Sequence, residues 1–343
     1  MDTKENINII FFGAGPVGAT VGGWIAAAYE HVYFLDQGVV ADALRQRGIT
    51  LYEGGKKQKQ NVPVKVIGDL SEAPEPDVIV VCVKNYSLHA VSKIIRDKVG
   101  DAPVIVSLQN GVENQKVLPQ YFSQVIYGVV CYNAWMDEPG VVGYQKKGPL
   151  VLGTPNNDLR FEMQAIARIF NKGVETVVVD HLMDAAASKM IINLTNSLTT
   201  LVGHRFKEIS DPDLFQKLLG NLTYEGVKIV KAAGYNECRL GGMPSWLLLR
   251  ASVTLPTFIT RGIFEKNVKK MVVSSMAQDV IQRGNSDSEL DTINGWFIEQ
   301  ADRLNLKAPY NRTIYELCKE RFAQPKFEPM DVKDVWGKVE ERL

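Results

Sequence analysis

Short apolar runs alternate with helical patterns along the first half of the chain. Four runs, at 7–12, 31–36, 76–84 and 102–111, are apolar nearly throughout instead of alternating apolar with polar residues. Such strands are typical of a sheet that is buried on both faces. Their alternation with helices predicts a parallel, doubly wound α/β sheet. A helix is predicted directly after Ser87, whose hydroxyl is expected to cap its N-terminus.

After residue 180 the strand pattern gives way to amphipathic helical spacing. Segments 185–202, 213–233, 246–264, 268–283 and 289–304 carry apolar residues at helical intervals. The preceding stretch, from about 125 to 180, is richer in β-like runs and contains one helical pattern near 160–171. We therefore predict an α/β domain over residues 1–180 and an all-helical domain over residues 181–343.

Composition narrows the class of protein. The 343 residues are 45% hydrophobic and 23% charged, with a formal net charge of zero. Without a basic excess, neither nucleic acid nor an anionic membrane surface is an expected partner. The polar start and the lack of a long apolar segment predict a cytoplasmic protein without signal peptide or membrane span. The four cysteines are widely spaced, so we expect free thiols and no metal site.

A glycine-rich turn follows the first predicted strand and opens a helix. Its six residues are Gly13, Ala14, Gly15, Pro16, Val17 and Gly18, in the pattern G-x-G-x-x-G. In this context the first glycine permits a tight turn, the second lets the backbone approach a pyrophosphate, and the third lets helix and strand pack closely. The helix N-terminus offers N–H groups to the phosphates. The motif predicts a Rossmann-type dinucleotide site; an ordinary strand–turn–helix is the alternative.

Asp36 ends the second strand about 20 residues after the glycine motif, where a ribose-binding acid is expected. Its carboxylate would accept hydrogen bonds from the ribose 2′-hydroxyl and repel the 2′-phosphate of NADP. The next two residues carry no positive charge, so the sequence favours NADH. NADPH is the alternative if the side chain of Arg45 or Arg47 extends to the 2′-phosphate. A turn-forming aspartate at a strand end is the alternative.

Two polar residues follow buried strands at the edge where open α/β sheets bind ligands. We predict that Lys84 contacts cofactor phosphate or ribose, and that Asn110 contacts ribose or substrate. Considered alone, Lys84 is equally well explained as an exposed lysine at a strand end, and Asn110 as a residue of an Asn-Gly turn.

The predicted helix at 185–202 carries a polar face. Lys189, Asn193 and Asn196 stand at positions i, i+4 and i+7, so they share one side of the helix. A face of this kind suits the wall of a substrate cleft, with the lysine as proton donor to an alkoxide that develops on hydride transfer. Alternatively, the two asparagines tie helices together through hydrogen bonds.

Six motifs in one order resemble the ketopantoate reductase (2-dehydropantoate 2-reductase) family. They are the G-x-G-x-x-G turn, "CVKN", "LQNG", "SKMIIN", "SSMAQD" and "ELDTING". The resemblance spans about residues 7–320. It implies a Rossmann-type domain followed by an all-α domain similar to the C-terminal domain of 6-phosphogluconate dehydrogenase. The implied reaction is nicotinamide-dependent reduction of ketopantoate to pantoate in pantothenate biosynthesis, usually with NADPH.

The resemblance also implies roles for single residues. Lys189 matches the catalytic lysine that acts as general acid, and Glu289 matches the supporting catalytic carboxylate. Asn110, Asn193 and Ser275 match substrate contacts, and Lys84 a lysine near the cofactor. From the residues alone, Glu289 instead forms a capping box with Ser286, and the two roles are compatible.

This chain departs from the family pattern near the expected substrate. The family's second asparagine lies eight residues after the catalytic lysine, where this chain has Ser197 preceded by Asn196. Val272 replaces an asparagine that some members carry one turn before Ser275, and the loop at 283–288 is about two residues longer than usual. Either Asn196 or Ser197 is therefore expected to contact the substrate.

These departures leave alternative functions and assembly states open. A related oxidoreductase acting on another keto acid, of the opine or hydroxyacid dehydrogenase type, is one alternative, and a non-catalytic NAD(H)-binding sensor is another. The apolar run at 245–259 reads either as a core helix or as a dimer face, so the protein is expected to be a monomer or a homodimer.

Overall fold

The computed structural model describes residues 6–239, 243–285 and 288–343. The chain divides into two compact units, Met1–Met183 and Asp184–Leu343. The strands, all in the first unit, are β1 (Ile9–Phe12), β2 (Val32–Leu35), β3 (Ile49–Glu53), β4 (Lys59–Val62), β5 (Lys65–Ile67), β6 (Val78–Val81), β7 (Val104–Ser107), β8 (Val125–Val130), β9 (Ala134–Glu138), β10 (Val141–Tyr144), β11 (Leu150–Gly153) and β12 (Thr176–Val178).

Helices complete the first unit and form the second. Those of the first unit are α1 (Pro16–Ala26), α2 (Gly38–Arg47), α3 (Leu88–Val99), α4 (Asn114–Val117) and α5 (Arg160–Phe170). The remaining helices are α6 (Leu182–Leu201), α7 (Pro212–Ala232), α8 (Trp246–Thr254), α9 (Thr257–Lys270), α10 (Ser275–Ala277), α11 (Trp296–Arg303), α12 (Pro309–Phe322) and α13 (Val332–Glu340). The predicted fold class, an α/β domain followed by an all-α domain, is confirmed.

The main sheet has eight strands in the order β12-β11-β8-β7-β6-β1-β2-β5. Its central strands β2, β1, β6, β7 and β8 are parallel, and all the residues of β1, β6 and β7 except Phe12 are buried. This burial explains why these runs lack polar alternation. The exception is β11, which runs antiparallel to β8. The carboxyl ends of β1, β6 and β7 consequently lie side by side at one edge.

A second, four-stranded sheet in the order β4-β3-β10-β9 was not foreseen from the sequence. Helix α1 packs between the two sheets through adjacent glycines. A Cβ on Gly22 would lie 2.6 Å from the Phe34 ring on β2, and a Cβ on Gly23 would lie 3.2 Å from Leu51 on β3. Trp24 also stacks edge-on against Tyr144 of β10, with ring centroids 4.9 Å apart. The helix that follows the glycine-rich turn is therefore fixed on both sides.

Three predicted helix features differ in the structure. Ser87 does precede α3, but its side chain makes no capping bond, because residues Asn85–Ser87 already form a 3-10 turn. The segment predicted at 246–264 is broken at Pro256, since the residue before a proline is forced out of the helical region. The segment predicted at 268–283 is interrupted after Lys270, where α9 ends.

Arg205 supplies the physical reason for the end of α9. Its guanidinium donates hydrogen bonds to the carbonyl groups of Lys269 and Met271, at 2.6 and 2.8 Å. These carbonyl groups would otherwise lack partners at a helix C-terminus. Ser274 then starts α10 by accepting a hydrogen bond from the Ala277 N–H. A bond across more than 60 positions has no signature in the local sequence pattern.

All four cysteines are free thiols, as predicted. Cys131 and Cys318 are buried, and Cys82 and Cys238 are half-buried. Within the described ranges, no helix has the length and apolar character that a membrane crossing requires.

Candidate active site

The glycine-rich turn has the geometry that its sequence predicts. Gly13 follows β1 with φ of +99°, a conformation that residues with a Cβ rarely adopt. A Cβ on Gly18 would lie 2.0 Å from the carbonyl oxygen of Gly13. The third glycine is therefore required for α1 to start directly over the turn.

Gly15 is different, because it faces open space. Within the described chain, no atom beyond the adjacent residues and the helix's own backbone lies within 4 Å of the position that its Cβ would occupy. Gly15 is also the N-cap of α1; no side chain caps this helix, and its first turn carries no acid. The start of α1 therefore combines a positive helix end with room for an anion, as a dinucleotide pyrophosphate needs.

Asp36 binds back to the glycine-rich turn. Its Oδ2 accepts a hydrogen bond from the Ala14 N–H at 2.6 Å, and its Oδ1 accepts one from the Gln37 N–H at 2.8 Å. Each carboxylate oxygen retains further acceptor capacity. The residue thus positions the turn and presents a negative charge beside it, so the turn-forming and ribose-binding interpretations are compatible.

Lys84 and Asn110 lie on neighbouring loops at the carboxyl ends of β6 and β7. Both are half-buried. The Asn85 side-chain amide joins these loops by donating to the Asn110 carbonyl at 2.9 Å. Sequence reasoning had left out Gln109, whose side-chain amide donates to the carbonyl groups of Val81 and Val83 at 3.1 Å each. A polar residue at the end of an otherwise apolar run was the available signal.

Cys82 lies next to the glycine-rich turn but carries no charge there. A Cβ on Gly18 would be 3.1 Å from the Cβ of Cys82. Burial raises the pKa of the Cys82 thiol, so the thiol stays protonated and is not a nucleophile.

In the helical unit, α6 carries the predicted polar face. At about 100° per residue, Asn193 lies about 40° and Asn196 about 20° from Lys189 around the helix, whereas Ser197 lies about 80° away. Lys189 and Asn196 are half-buried, and Asn193 is buried. Their neighbours Met190, Ile191 and Leu194 are buried apolar residues. The lysine therefore stands at the margin of an apolar interior.

Ser197 lies inside the unit and not on that face. The residue is completely buried, and its hydroxyl donates to the Leu194 carbonyl at 2.8 Å and accepts from the Asn294 side-chain amide at 2.9 Å. Asn294 is equally buried. Of the two positions left open by the sequence, Asn196 shares the lysine's side, while Ser197 contacts another part of the same unit. The sequence pattern had not singled out Asn294.

Ser275 is the first residue of α10, near the end of α6. The preceding Ser274 accepts from the Ala277 N–H at 3.1 Å, and its hydroxyl lies 3.3 Å from that of Thr200 on α6. Ser275 itself is half-buried. The predicted substrate-contacting serine is thus held by its neighbour's capping bonds.

A π-helical turn, Gln278–Gln282, continues from α10 toward the loop before Glu289. Within it, Asp279 is 1% exposed and accepts a hydrogen bond from the Arg283 guanidinium at 2.7 Å. Removing one partner of such a pair is generally destabilising, because it weakens the compensation of a buried charge.

Glu289 is buried at the start of the next helical segment. Its carbonyl group accepts from the Ile293 N–H at 3.0 Å, and a second π-helical turn, Asp291–Gly295, leads into α11. π-helical turns are rare and occur frequently at functional sites. Ser286, the partner in the alternative capping box, lies outside the described residues.

Both units of this chain are similar to known proteins. The family model "Ketopantoate reductase PanE/ApbA" matches residues 9–157, and its C-terminal counterpart matches residues 181–322. A 2-dehydropantoate 2-reductase from Pyrococcus horikoshii is 30% identical over 317 residues, which are 92% of this chain and 97% of the relative.

Solved structures show a similar fold at lower identity. A ternary complex of D-mandelate dehydrogenase with NADH and anilino(oxo)acetate has a TM-score of 0.74 at 16% identity, covering 94% of this chain and 100% of that one. A 2-dehydropantoate 2-reductase from Geobacter metallireducens has a TM-score of 0.72 at 21% identity, covering 92% and 99%.

Proposed function

This chain belongs to the ketopantoate reductase family, and we propose that it reduces a 2-keto acid, ketopantoate, to the corresponding 2-hydroxy acid, pantoate. The relative from Pyrococcus horikoshii is named for this reaction. The product would serve pantothenate biosynthesis. One observation carries the proposal: α6 presents Lys189 beside Asn193 and Asn196, as reduction of a polar keto acid requires.

Lys189 is the general acid in this proposal. When hydride adds to the keto carbon, the carbonyl π electrons move to oxygen, and a proton must reach that oxygen. The Lys189 ammonium group donates it and becomes the neutral amine, which regains a proton from solvent. A positioned general acid typically contributes a factor of about 10² to 10⁴ in rate. The ammonium group also stabilises the negative charge that develops on the oxygen.

Glu289 supports the lysine and substrate in this account. A buried carboxylate is unfavourable without partners, and its place at the start of the Asp291–Gly295 turn fixes its backbone. We propose that it holds the lysine in its charged form and accepts a hydrogen bond from a substrate hydroxyl. Asn110, Asn193 and Ser275 are the proposed polar contacts that orient the substrate.

The residues of the first unit fit a nicotinamide dinucleotide. Open space at Gly15 and the uncapped start of α1 suit the pyrophosphate, and Lys84 is proposed to contact cofactor phosphate or ribose. When bound, the reduced cofactor supplies the hydride. The glycine-rich turn would orient the cofactor, and Asp36 holds the turn in place by accepting a hydrogen bond from the Ala14 N–H.

A preference for NADH over NADPH is the finer part of the cofactor proposal. In this proposal the carboxylate of Asp36, next to the glycine-rich turn, repels the 2′-phosphate of NADPH. The two nearby arginines are engaged elsewhere: Arg45 contacts Asp42 at 3.3 Å, and Arg47 donates to the Pro139 carbonyl at 2.8 Å.

The substrate contact after Lys189 is assigned to Asn196. Ser197 holds the family's asparagine position, but it is buried and bonded to Asn294, so we propose that it acts through the position of α6. A half-buried amide at Asn196 then replaces the family's amide about 100° away around the helix. This difference gives a reason to test keto acids besides ketopantoate.

A panel assay tests the proposal. Purified protein is supplied with reduced nicotinamide cofactor and, in turn, ketopantoate, pyruvate with an amino acid, and acetoacetate, and the product, a hydroxy acid or an opine, is identified. We expect the highest kcat/KM with ketopantoate and pantoate as product. Higher kcat/KM for another keto acid would favour an opine or hydroxyacid dehydrogenase. Tight cofactor binding without turnover of any keto acid would favour a sensor.

A further inference from the structure

A short irregular stretch that follows α7, residues 235–238, is attached to helix α6; we call it the bridging segment. Alternate backbone groups make the attachment. The Asn236 N–H donates to Asp184 Oδ1 at 2.8 Å, and the Cys238 N–H donates to the Ser188 hydroxyl at 3.0 Å. The two acceptors are four positions apart on α6, so they lie on one side of that helix. The bridging segment therefore runs along α6 for one helical turn.

This attachment lies beside Lys189. Ser188 precedes the lysine in the chain, is 4% exposed, and lies about 100° from it around the helix. The other side-chain bond described for α6, from Asn294 to Ser197, is eight residues further on, about 12 Å along the helix. The Ser188 bond is therefore the one that acts on α6 at the level of the lysine.

The other end of the bridging segment contacts the helix that follows Glu289. The Tyr235 ring lies against the ring of Trp296, the first residue of α11, with centroids 6.4 Å apart. Trp296 is buried and packs edge-on against Phe297, with centroids 5.1 Å apart. The π-helical turn Asp291–Gly295 leads directly from the region of Glu289 into Trp296. The bridging segment thus contacts the elements that carry both proposed catalytic side chains.

Further bonds fix the bridging segment itself. The Tyr235 N–H donates to the Val230 carbonyl of α7 at 3.2 Å. Glu237 Oε1 accepts from the Trp246 N–H at the start of α8, at 2.7 Å, and lies 3.1 Å from Nε of Arg239. A loop with few such contacts would transmit little between its two ends. These bonds make the segment a defined connection between α6 and α11.

We propose that the bridging segment sets the position of Lys189 relative to Glu289, and that Ser188 and Tyr235 are positioning residues for keto-acid reduction. This inference rests on the proposed roles of Lys189 and Glu289. A general acid must lie within hydrogen-bonding distance of the oxygen that it protonates. A displacement of about 1 Å that arises far from the chemistry can lower a rate by about 10²-fold. Ser188 acts through the backbone of α6, and Tyr235 acts through the start of α11.

Steady-state kinetics of the full-length chain test the proposal, with the keto acid that gives the highest kcat/KM in the panel assay. Ser188→Ala removes the hydrogen-bond acceptor at one end, and Tyr235→Ala removes the ring at the other. We expect kcat to fall by about 10- to 100-fold in each. The KM for the keto acid should change little, the signature of an interaction lost only in the transition state. The double variant should be hardly slower than the slower single variant, because both changes break the same connection.

Two control variants separate positioning from a general loss of structure. Tyr235→Phe retains the ring and should keep the wild-type kcat. Thr195→Ala removes a hydroxyl from nearly the same side of α6, about 20° from Ser188, where it donates to the Ile192 carbonyl of that helix; its kcat should also be unchanged. Melting temperatures are measured on every variant.

Three results would overturn the proposal. They are a wild-type kcat in Ser188→Ala and Tyr235→Ala, losses that multiply in the double variant, and an equal loss of kcat in Thr195→Ala. A rise in KM without a fall in kcat would also contradict it, since the two residues would then serve substrate binding. A wild type that reduces no keto acid would refute the proposed function itself, which the variant-to-wild-type ratios do not test.

Discussion

The Asn294 side-chain amide donates a hydrogen bond of 2.9 Å to the Ser197 hydroxyl, and neither residue has any solvent-exposed surface. The bond joins α6, which carries Lys189, to the π-helical turn that begins two residues after Glu289. The second amide atom of Asn294, its Oδ1, has no hydrogen-bond partner within the described chain. The Ser197 hydroxyl is therefore the hydrogen-bond acceptor for the Asn294 side-chain NH₂ group.

We predict that Ser197→Ala destabilises the chain by about 1 to 3 kcal/mol, because it leaves the buried Asn294 amide without a partner. Chemical denaturation of wild type and variant measures this difference. Thr195→Ala is the control on the same helix, since the half-buried Thr195 hydroxyl donates to the Ile192 carbonyl of its own helix. An equal loss of stability in both variants would show that the bond to Asn294 is unimportant.

Local patterns predicted the glycine-rich turn, Asp36 and the polar face of α6. Each depends on residues that are adjacent in sequence or spaced along one helix, so periodicity and motif context define it. Such patterns do not contain bonds between distant segments. The contact from Ser197 to Asn294, the Gln109 bridge between strand ends and the end of α9 at Arg205 are all of this second kind.

Whether Asn196 or Ser197 lies on the same side of α6 as Lys189 also depends on contacts between distant segments. One residue changes the direction of a side chain by about 100° around a helix, and family spacing favoured Ser197. Packing decides the orientation: the hydroxyl is buried against Asn294, which only the folded chain brings near. The catalytic and substrate roles themselves remain predictions for the experiments below.

Gly15→Ala is predicted to weaken cofactor binding while leaving the fold intact. Its Cβ would enter open space next to the start of α1, and the φ of −64° suits alanine, so only a bound pyrophosphate would meet the added methyl group. Cofactor titration by fluorescence and thermal unfolding measure the two effects. Gly18→Ala is the contrasting variant. Its Cβ would lie 2.0 Å from the Gly13 carbonyl oxygen, so we expect this variant to lower the melting temperature as well as the cofactor affinity. Unchanged cofactor affinity in Gly15→Ala would exclude this turn as the pyrophosphate site.

Wild type is expected to prefer NADH, and Asp36→Ala is expected to reduce this preference, because the charge that repels the 2′-phosphate is gone. The ratio of kcat/KM for NADH and NADPH is the measurement. Asp36→Asn removes the same charge but can still accept one hydrogen bond from the turn. A shift in both variants identifies charge as the cause. A wild type that uses NADPH and ignores NADH would refute the preference.

Glu225 is predicted to make stability depend on pH. This buried α7 residue accepts hydrogen bonds from the Asn311 N–H at 2.7 Å and from the Tyr310 N–H at 3.3 Å, at the start of α12. Burial raises the pKa of its carboxyl above the ordinary value of 4.5, although these hydrogen bonds oppose the shift.

A raised pKa means that the folded chain holds the proton more tightly than the unfolded chain does. This contribution to stability is complete below pH 4.5 and is lost as pH rises through the raised pKa. The free energy of unfolding of wild type should therefore fall over that range relative to Glu225→Gln, whose amide does not titrate. Denaturation curves over a pH series measure it. Parallel pH profiles for the two proteins would contradict the assignment.

The central claim is that Lys189 protonates a keto acid as hydride arrives, and it is tested by comparing ketopantoate reduction in wild type and Lys189→Ala, with cofactor affinity measured on both. The account predicts ketopantoate turnover by wild type and a kcat lower by about 10² to 10⁴ in the variant, with cofactor affinity nearly unchanged. Absence of turnover in wild type, or near-normal kcat in Lys189→Ala, would contradict it.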